Sequence, residues 1–210
     1  MKEIGDNMEY LDIYDENKKY LGKYSREYVH QNALWHNTVH CWLYDIYGNV
    51  YFQIRKEEEK LYTTASGHVL SGETIKEAFG REVKEEIGIN IPYEDAILID
   101  THQYKADKIK KDGTIFKDRA FVNVYGYLYS DDDKKFKFDL SEVNGLVKIS
   151  AKEALKLFKE ENKEVLAEVI NQDNKYNKNI KYEDFLVVGK ETPMEKYGDI
   201  LNKIVELTNK

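Results

Sequence analysis

Three carboxylates sit close together between Gly67 and Ile89: Glu82, Glu85 and Glu86, with Arg81 just before them. Thr74-x-x-Glu77 reads as a capping box and Gly88 as a stop, so the segment between them is a helix. At about 100° per residue, Ile75, Ala78 and Phe79 form one apolar stripe facing the core. Glu82 and Glu86 prolong that stripe, Glu85 lies at its edge, and Lys76 and Lys84 point away. A merely solvated acidic face would lie opposite the apolar side. Carboxylates held against a core repel one another and resist desolvation unless a cation sits among them. Arg81 alone does not balance three. A hard divalent ion with oxygen ligands does, and Mg²⁺ in such a site keeps waters and takes substrate phosphates.

The stretch resembles the Nudix box, G-x5-E-x7-R-E-U-x-E-E-x-G-U with U aliphatic. Gly67, Glu73, Arg81, Glu82, Val83, Glu85, Glu86, Gly88 and Ile89 fill its fixed places. At ordinary residue frequencies the identities arise by chance on the order of 10⁻⁹ per start position. The resemblance implies a loop–helix–loop in which Glu82, Glu85 and Glu86, helped by the Gly67 carbonyl, bind Mg²⁺ or Mn²⁺. Arg81 and Glu73 would position the carboxylates. Glu82, Glu85 and Arg81 are thus the expected catalytic set, with the general base open between Glu82 and Glu85. The implied reaction is attack of water at phosphorus in a nucleoside diphosphate derivative or related organic diphosphate.

Outside the box, Glu9 to Glu16, Val29-His30, Leu34-Trp35-His36 and Trp42-Leu43 resemble the branch related to isopentenyl-diphosphate isomerase. That isomerase has a cysteine just before the loop glycine, where this chain has Ser66, and its box is degenerate, whereas this one is intact. His30, His36 and His68 fall near its metal-binding histidines. Of its later pair of glutamates, only Asp118 offers a counterpart. A hydrolase of that branch is therefore expected. An isomerase and a non-catalytic nucleotide-sensing module are the alternatives.

Arg55, His36, Trp35 and His68 are the expected substrate-binding residues. Arg55 ends a strand that often offers a basic group to substrate in Nudix proteins, with an ordinary surface arginine as the equal alternative, and Trp35 could stack on a flat group or, at least as readily, pack in the core or against the hairpin. His36, His40 and Trp42 are expected on a strand face that meets the box helix, although a packed aromatic face explains Trp42 equally well and His40 somewhat better. Glu142 resembles a late acidic residue that some Nudix enzymes recruit, but reads better as an exposed glutamate. Cys41 reads as a small core hydrophobe.

The elements around the box define a mixed layout. Tyr10 to Tyr24 reads as a hairpin around Asp15-Glu16-Asn17-Lys18. From His36 to Tyr44 the pattern alternates, with Val39, Cys41 and Leu43 on one face and His36, Thr38, His40, Trp42 and Tyr44 on the other. After a turn at Gly48 comes a strand from Val50 to Arg55, then a charged loop from Lys56 to Lys60 and an extended stretch from Leu61 to Thr64. A loop is expected from Ser66 to Gly72. Further strands are expected at Ala96 to Tyr104, Ala120 to Tyr129 and Val147 to Ile149, with a turn at Asp131 to Lys135. Helices are expected from a Ser150-x-x-Glu153 cap to Lys159, from Glu164 to Asn171, and after a Thr192 cap with Pro193 and Glu195. Asn171 to Asn179 reads as a loop. The element pattern is α+β, and the resemblance implies a Nudix α/β/α sandwich with a mixed sheet. It is expected as a single domain over 1–210, with an N-terminal hairpin extension (1–34), a core (35–170) and a C-terminal helical extension (171–210).

The 210 residues carry 32 Lys plus Arg against 39 Asp plus Glu, a net charge of −7. Such a balance argues against a nucleic-acid polymer as partner, and the 17 scattered tyrosines form no stacking platform. A small diphosphate remains compatible, since its charge can be met locally. No run of 18 apolar residues and no secretory signal are present, and Cys41 has no disulfide partner, so a cytoplasmic protein without a membrane span is expected. A homodimer is plausible by analogy.

Overall fold

The computed structural model describes residues 8–109, 113, 115–130, 132–186 and 193–209. The chain opens with a hairpin, β1 (Tyr10–Tyr14) and β2 (Tyr20–Ser25), followed by a short helix α1 (Arg26–Gln31). Then come β3 (His36–Tyr44), β4 (Asn49–Arg55), β5 (Leu61–Tyr62), β6 (Ala65–His68) and the box helix α2 (Ile75–Ile87). The second half holds the long hairpin β7 (Ile97–Ile109) and β8 (Ile115–Leu128), then β9 (Val143–Ser150), α3 (Ala151–Phe158), β10 (Val165–Ile170), β11 (Lys175–Ile180) and α4 (Pro193–Thr208).

The main sheet runs β11-β10-β9-β4-β3-β8-β7, with β5 added to β4 and β6 to β3. Its pairings are antiparallel except β3 with β8, so the sheet is mixed. The alternation in β3 sorts its side chains between two cores. Val39, Cys41 and Leu43 join Ala78, Phe79, Val83 and Ile87 of α2 on one face. Trp42 and Tyr44 join Leu157 and Phe158 of α3 and Tyr197, Leu201 and Ile204 of α4 on the other. Helices thus cover both faces of an α+β sandwich. The expectation that His36, His40 and Trp42 share a face with α2 fails, because side chains one residue apart on a strand point to opposite sides.

Strands β3 and β4 pair only at Tyr44 and Val50 and then diverge. The buried Thr63 and Thr64 fill the split. Thr64 Oγ1 accepts from the Leu43 N–H at 2.9 Å and donates to the Tyr51 carbonyl, while Thr63 Oγ1 donates to the Cys41 carbonyl at 2.7 Å. Backbone groups left unpaired by the split are thereby satisfied.

Several sequence expectations need correction. The segment expected as a helix from Glu164 to Asn171 is strand β10: Val165, Ala167 and Val169 are buried while Leu166 is 68% exposed, a period of two. The expected loop from Asn171 to Asn179 contains most of β11, so the C-terminal extension is strand plus helix. Ser66 to His68 lie in β6 rather than in a loop, and β7, β8 and β9 are longer than expected. Helix α1, not foreseen, starts where Ser25 Oγ accepts from the Tyr28 N–H at 3.4 Å. Ser150 precedes α3 without a side-chain cap hydrogen bond. Thr192 and Asp131 lie outside the described residues.

The box helix matches its signals. Thr74 and Glu77 form a reciprocal capping box, and Gly88 ends the helix at φ 74°, a left-handed conformation that favours glycine. Among the described residues, no helix is long and apolar enough to cross a membrane.

Candidate active site

The site is assembled where β6 passes beneath α2. Gly67 lies so close to Glu82 that a Cβ on the glycine would overlap the Glu82 carboxylate. One residue back, the Ser66 N–H donates to Glu86 Oε2 at 2.8 Å, and Gln53 Nε2 of β4 donates to the same oxygen at 3.2 Å. Glu86 is 3% exposed, and burial pushes its carboxyl up to about 8 despite the Ser66 bond. Burial raises Glu82 to about 7 against the lowering pull of Arg81, with Glu85 and Glu142 adding repulsion. Glu85 stands at the helix edge, its side chain 57% exposed.

Arg81 organises the group. Its Nε and Nη2 clasp both oxygens of Glu73 at 2.8 and 2.9 Å, Nη2 also donates to the His68 carbonyl at 2.9 Å, and Nη1 reaches Glu82 at 2.7 Å and Glu85 at 3.1 Å. A guanidinium has five N–H donors in a rigid fork, so this set engages all of them within the protein. Glu73 in turn accepts from the Leu70 N–H at 2.9 Å. The loop carrying Glu73 is pinned to the hairpin, where Asp12 accepts from Ser71 Oγ at 2.7 Å and from the Gly72 N–H at 3.2 Å. Sequence reasoning missed Asp12 and Gln53; neither lies at a spacing that marks it.

A cleft of ≈ 470 Å³ opens beside the box carboxylates. Of the four expected substrate-binding residues, Arg55 and His68 line it; Trp35 and His36 do not. Trp35 is 7% exposed and stacks on Phe121, ring centres 4.8 Å apart, under the Lys105 ammonium. His36 is fully buried. Glu142, expected as merely exposed, lies on the cleft wall, as does His40 beside Tyr62. Cys41 is buried, and burial pushes its thiol well up, as a core residue requires.

Reaching the cleft through His68, ligand nitrogens of His30, His36 and His68 lie within 4.8 Å of one another. His30 Nδ1 lies 2.8 Å from the Arg26 carbonyl and His36 Nδ1 lies 3.0 Å from that of Leu34. A carbonyl only accepts, so both Nδ1 atoms carry the proton and both Nε2 atoms present lone pairs. Nε2 of His36 is 3.5 Å from Asp118 Oδ1, and Nε2 of His30 is 3.2 Å from that of His68. Burial holds His30 and His36 down at about 4 and His68 well below its ordinary value. Neutral imidazoles oriented by backbone carbonyls are ligands suited to a borderline transition ion, in contrast to the oxygen donors of the box.

Comparison with known proteins agrees with this geometry. Residues 34–169 match the family described as NUDIX domain. An uncharacterised Nudix hydrolase of Clostridium acetobutylicum is 33% identical over 193 residues, covering 85% of this chain and 90% of the relative. A second uncharacterised Nudix hydrolase, from Yersinia pestis, is 34% identical over 92 residues, 41% of this chain and 50% of the relative. Among solved structures, DR0079 from Deinococcus radiodurans superposes with a TM-score of 0.53 at 21% identity, covering 72% of this chain and 89% of that one, a likeness of fold. With the box carboxylates gathered by Arg81 and the family match spanning the sheet around them, the chain belongs to the Nudix family of diphosphate-bond hydrolases.

Proposed function

We propose that this chain, as a single domain, hydrolyses a diphosphate linkage in a nucleoside diphosphate derivative or related organic diphosphate. In this reading Mg²⁺ or Mn²⁺ is held by Glu82, Glu85, Glu86 and the Gly67 carbonyl. The observation that carries the reading is the pairing of two inward carboxylates, Glu86 at 3% exposure and Glu82 with its side chain at 14%, beside Gly67. Such groups serve as ligands when a dication balances them, and their oxygen donors suit a hard ion. When bound, that ion supplies a Lewis acid for the phosphoryl oxygens and lowers the pKa of a coordinated water.

The chain's own residues supply the rest. Arg81 fixes Glu82 and Glu85 relative to β6 and contacts no substrate, since its donors are engaged. Glu85 bonds Arg81 through Oε2 alone, and its exposed carboxylate faces the cleft. Between Glu82 and Glu85, this reading assigns Glu85 the proton of the attacking water.

The decisive experiment offers nucleotide sugars, dinucleotides, nucleoside triphosphates and prenyl diphosphates with Mg²⁺ or Mn²⁺ and scores phosphate or monophosphate release. Turnover abolished by EDTA and reduced at least about 100-fold in Glu85→Gln is expected. The histidine cluster favours a second reading, isomerisation of a prenyl diphosphate. Double-bond migration without phosphate release would establish that reading instead. Binding of nucleotides without turnover of any substrate would point to a sensing module.

A further inference from the structure

The cleft has a wall that no part of the box supplies. Lys196, Tyr197 and Ile200 of α4 line it together with the box carboxylates. Tyr197 is 8% exposed and wedged edge-on against Trp42, ring centres 5.0 Å apart, with Ile200, Leu201 and Ile204 continuing into the same core. The first turns of α4 are therefore anchored, and the half-buried Lys196 leaves the helix from a fixed point.

The other cations around the cleft already have partners. Arg26 pairs with Glu9 at 2.7 Å and Arg55 with Glu58 at 3.0 Å. The Lys56 ammonium donates to Asn144 at 3.1 Å, and Arg81 is fully engaged. Lys196 has no ion pair or hydrogen bond among the described residues. The mouth also carries Glu57, Glu58 and Glu142, which repel an anionic substrate. A diphosphate entering here meets one cation that need not break an existing bond to receive it.

We propose that Lys196 binds a non-bridging phosphoryl oxygen of the diphosphate, while Tyr197 and Ile200 pack against the organic group it carries. The C-terminal helix is then the specificity-determining wall of the cleft. A lysine ammonium is a compact point charge suited to phosphate, and a charge-assisted bond of this kind is among the stronger ones. The inference rests on the hydrolase reading and deepens it.

The test compares wild type, Lys196→Ala and Lys196→Arg on the best substrate of the panel, and measures binding of inorganic pyrophosphate with Mg²⁺ by calorimetry. Lys196→Ala should lower kcat/KM by about 10- to 100-fold, carried by KM, and weaken pyrophosphate by a similar factor. Lys196→Arg should recover most of both, and thermal midpoints should match wild type. Unchanged KM and pyrophosphate affinity in Lys196→Ala overturn the proposal while leaving the hydrolase reading intact. A wild-type protein that turns over nothing overturns the hydrolase reading, and pyrophosphate binding still decides for or against Lys196.

Discussion

Gly67 and Glu82 occupy one space: the carboxylate lies where a side chain on residue 67 would begin. Gly67→Ala must therefore push Glu82 away from the strand or shift β6. Displacements near 1 Å at a reacting centre cost about 100-fold in rate. A fall of kcat of that order, with the fold preserved by circular dichroism, is the expected result. Wild-type kcat in the variant would show that Glu82 need not sit over residue 67.

Glu73 never reaches the cleft's carboxylate trio directly, yet it holds two of the five Arg81 bonds. Both partners are mostly buried, 24% and 14% exposed. Glu73→Gln keeps the shape and removes the charge, so it should cost about 1–3 kcal/mol of stability and lower kcat more than it raises KM. Denaturant unfolding and steady-state kinetics separate the two effects. Arg81→Lys should behave similarly, since a single ammonium lacks the planar fork.

The metal-free protein should lose stability as pH rises above neutrality. Glu82 and Glu86, raised from 4.5 to about 7 and about 8, keep in the fold protons that the unfolded chain has released, so folding weakens as pH climbs through those values. His30 and His36, lowered from 6.5 to about 4, and His40, lowered to about 3, act in the opposite sense: their contribution is present above 6.5 and is lost as pH falls. Between 4.5 and 6.5 the two sets oppose each other; from 6.5 to 8 the carboxylates act alone. A thermal midpoint falling over that upper window, flattened by Glu86→Gln or by Mg²⁺, is expected. A midpoint that rises across it would contradict the burial of these groups.

The histidine cluster makes a separate prediction. EDTA-treated protein titrated with Co²⁺ should develop the visible absorption of nitrogen ligation, and His30→Asn should remove it. Mg²⁺ should leave that absorption unaltered, because it prefers the oxygen donors across the Arg81 bond to the His68 carbonyl. Absorption surviving in His30→Asn would place the cobalt elsewhere.

How much of this was readable beforehand varied with the kind of signal. Thr74, Glu77 and Gly88 bound the box helix because capping is local chemistry, and β3 announced itself through alternation. Val165 to Ile170 misled because six mostly apolar residues fit a buried helix or a strand equally well until β9 and β11 are seen on either side. The polar run from Lys175 to Ile180 looks like a loop, since an outer strand needs few apolar residues. Trp35 was open between stacking on substrate and packing, and its partner Phe121, which decides for packing, is brought beside it only by the pairing of β3 with β8. Lys196 is one of 32 basic residues, and nothing in its spacing distinguishes it. Its situation depends on which other cations have found partners, a property of the whole cleft.

The acid-bearing helix is finished at Ile87, whereas the cleft it lines also takes Lys196, Tyr197 and Ile200 of α4. The core beneath α2 includes Tyr125, Phe138, Leu146 and Ile170, so the box carboxylates reach their places only once the chain through β10 has packed.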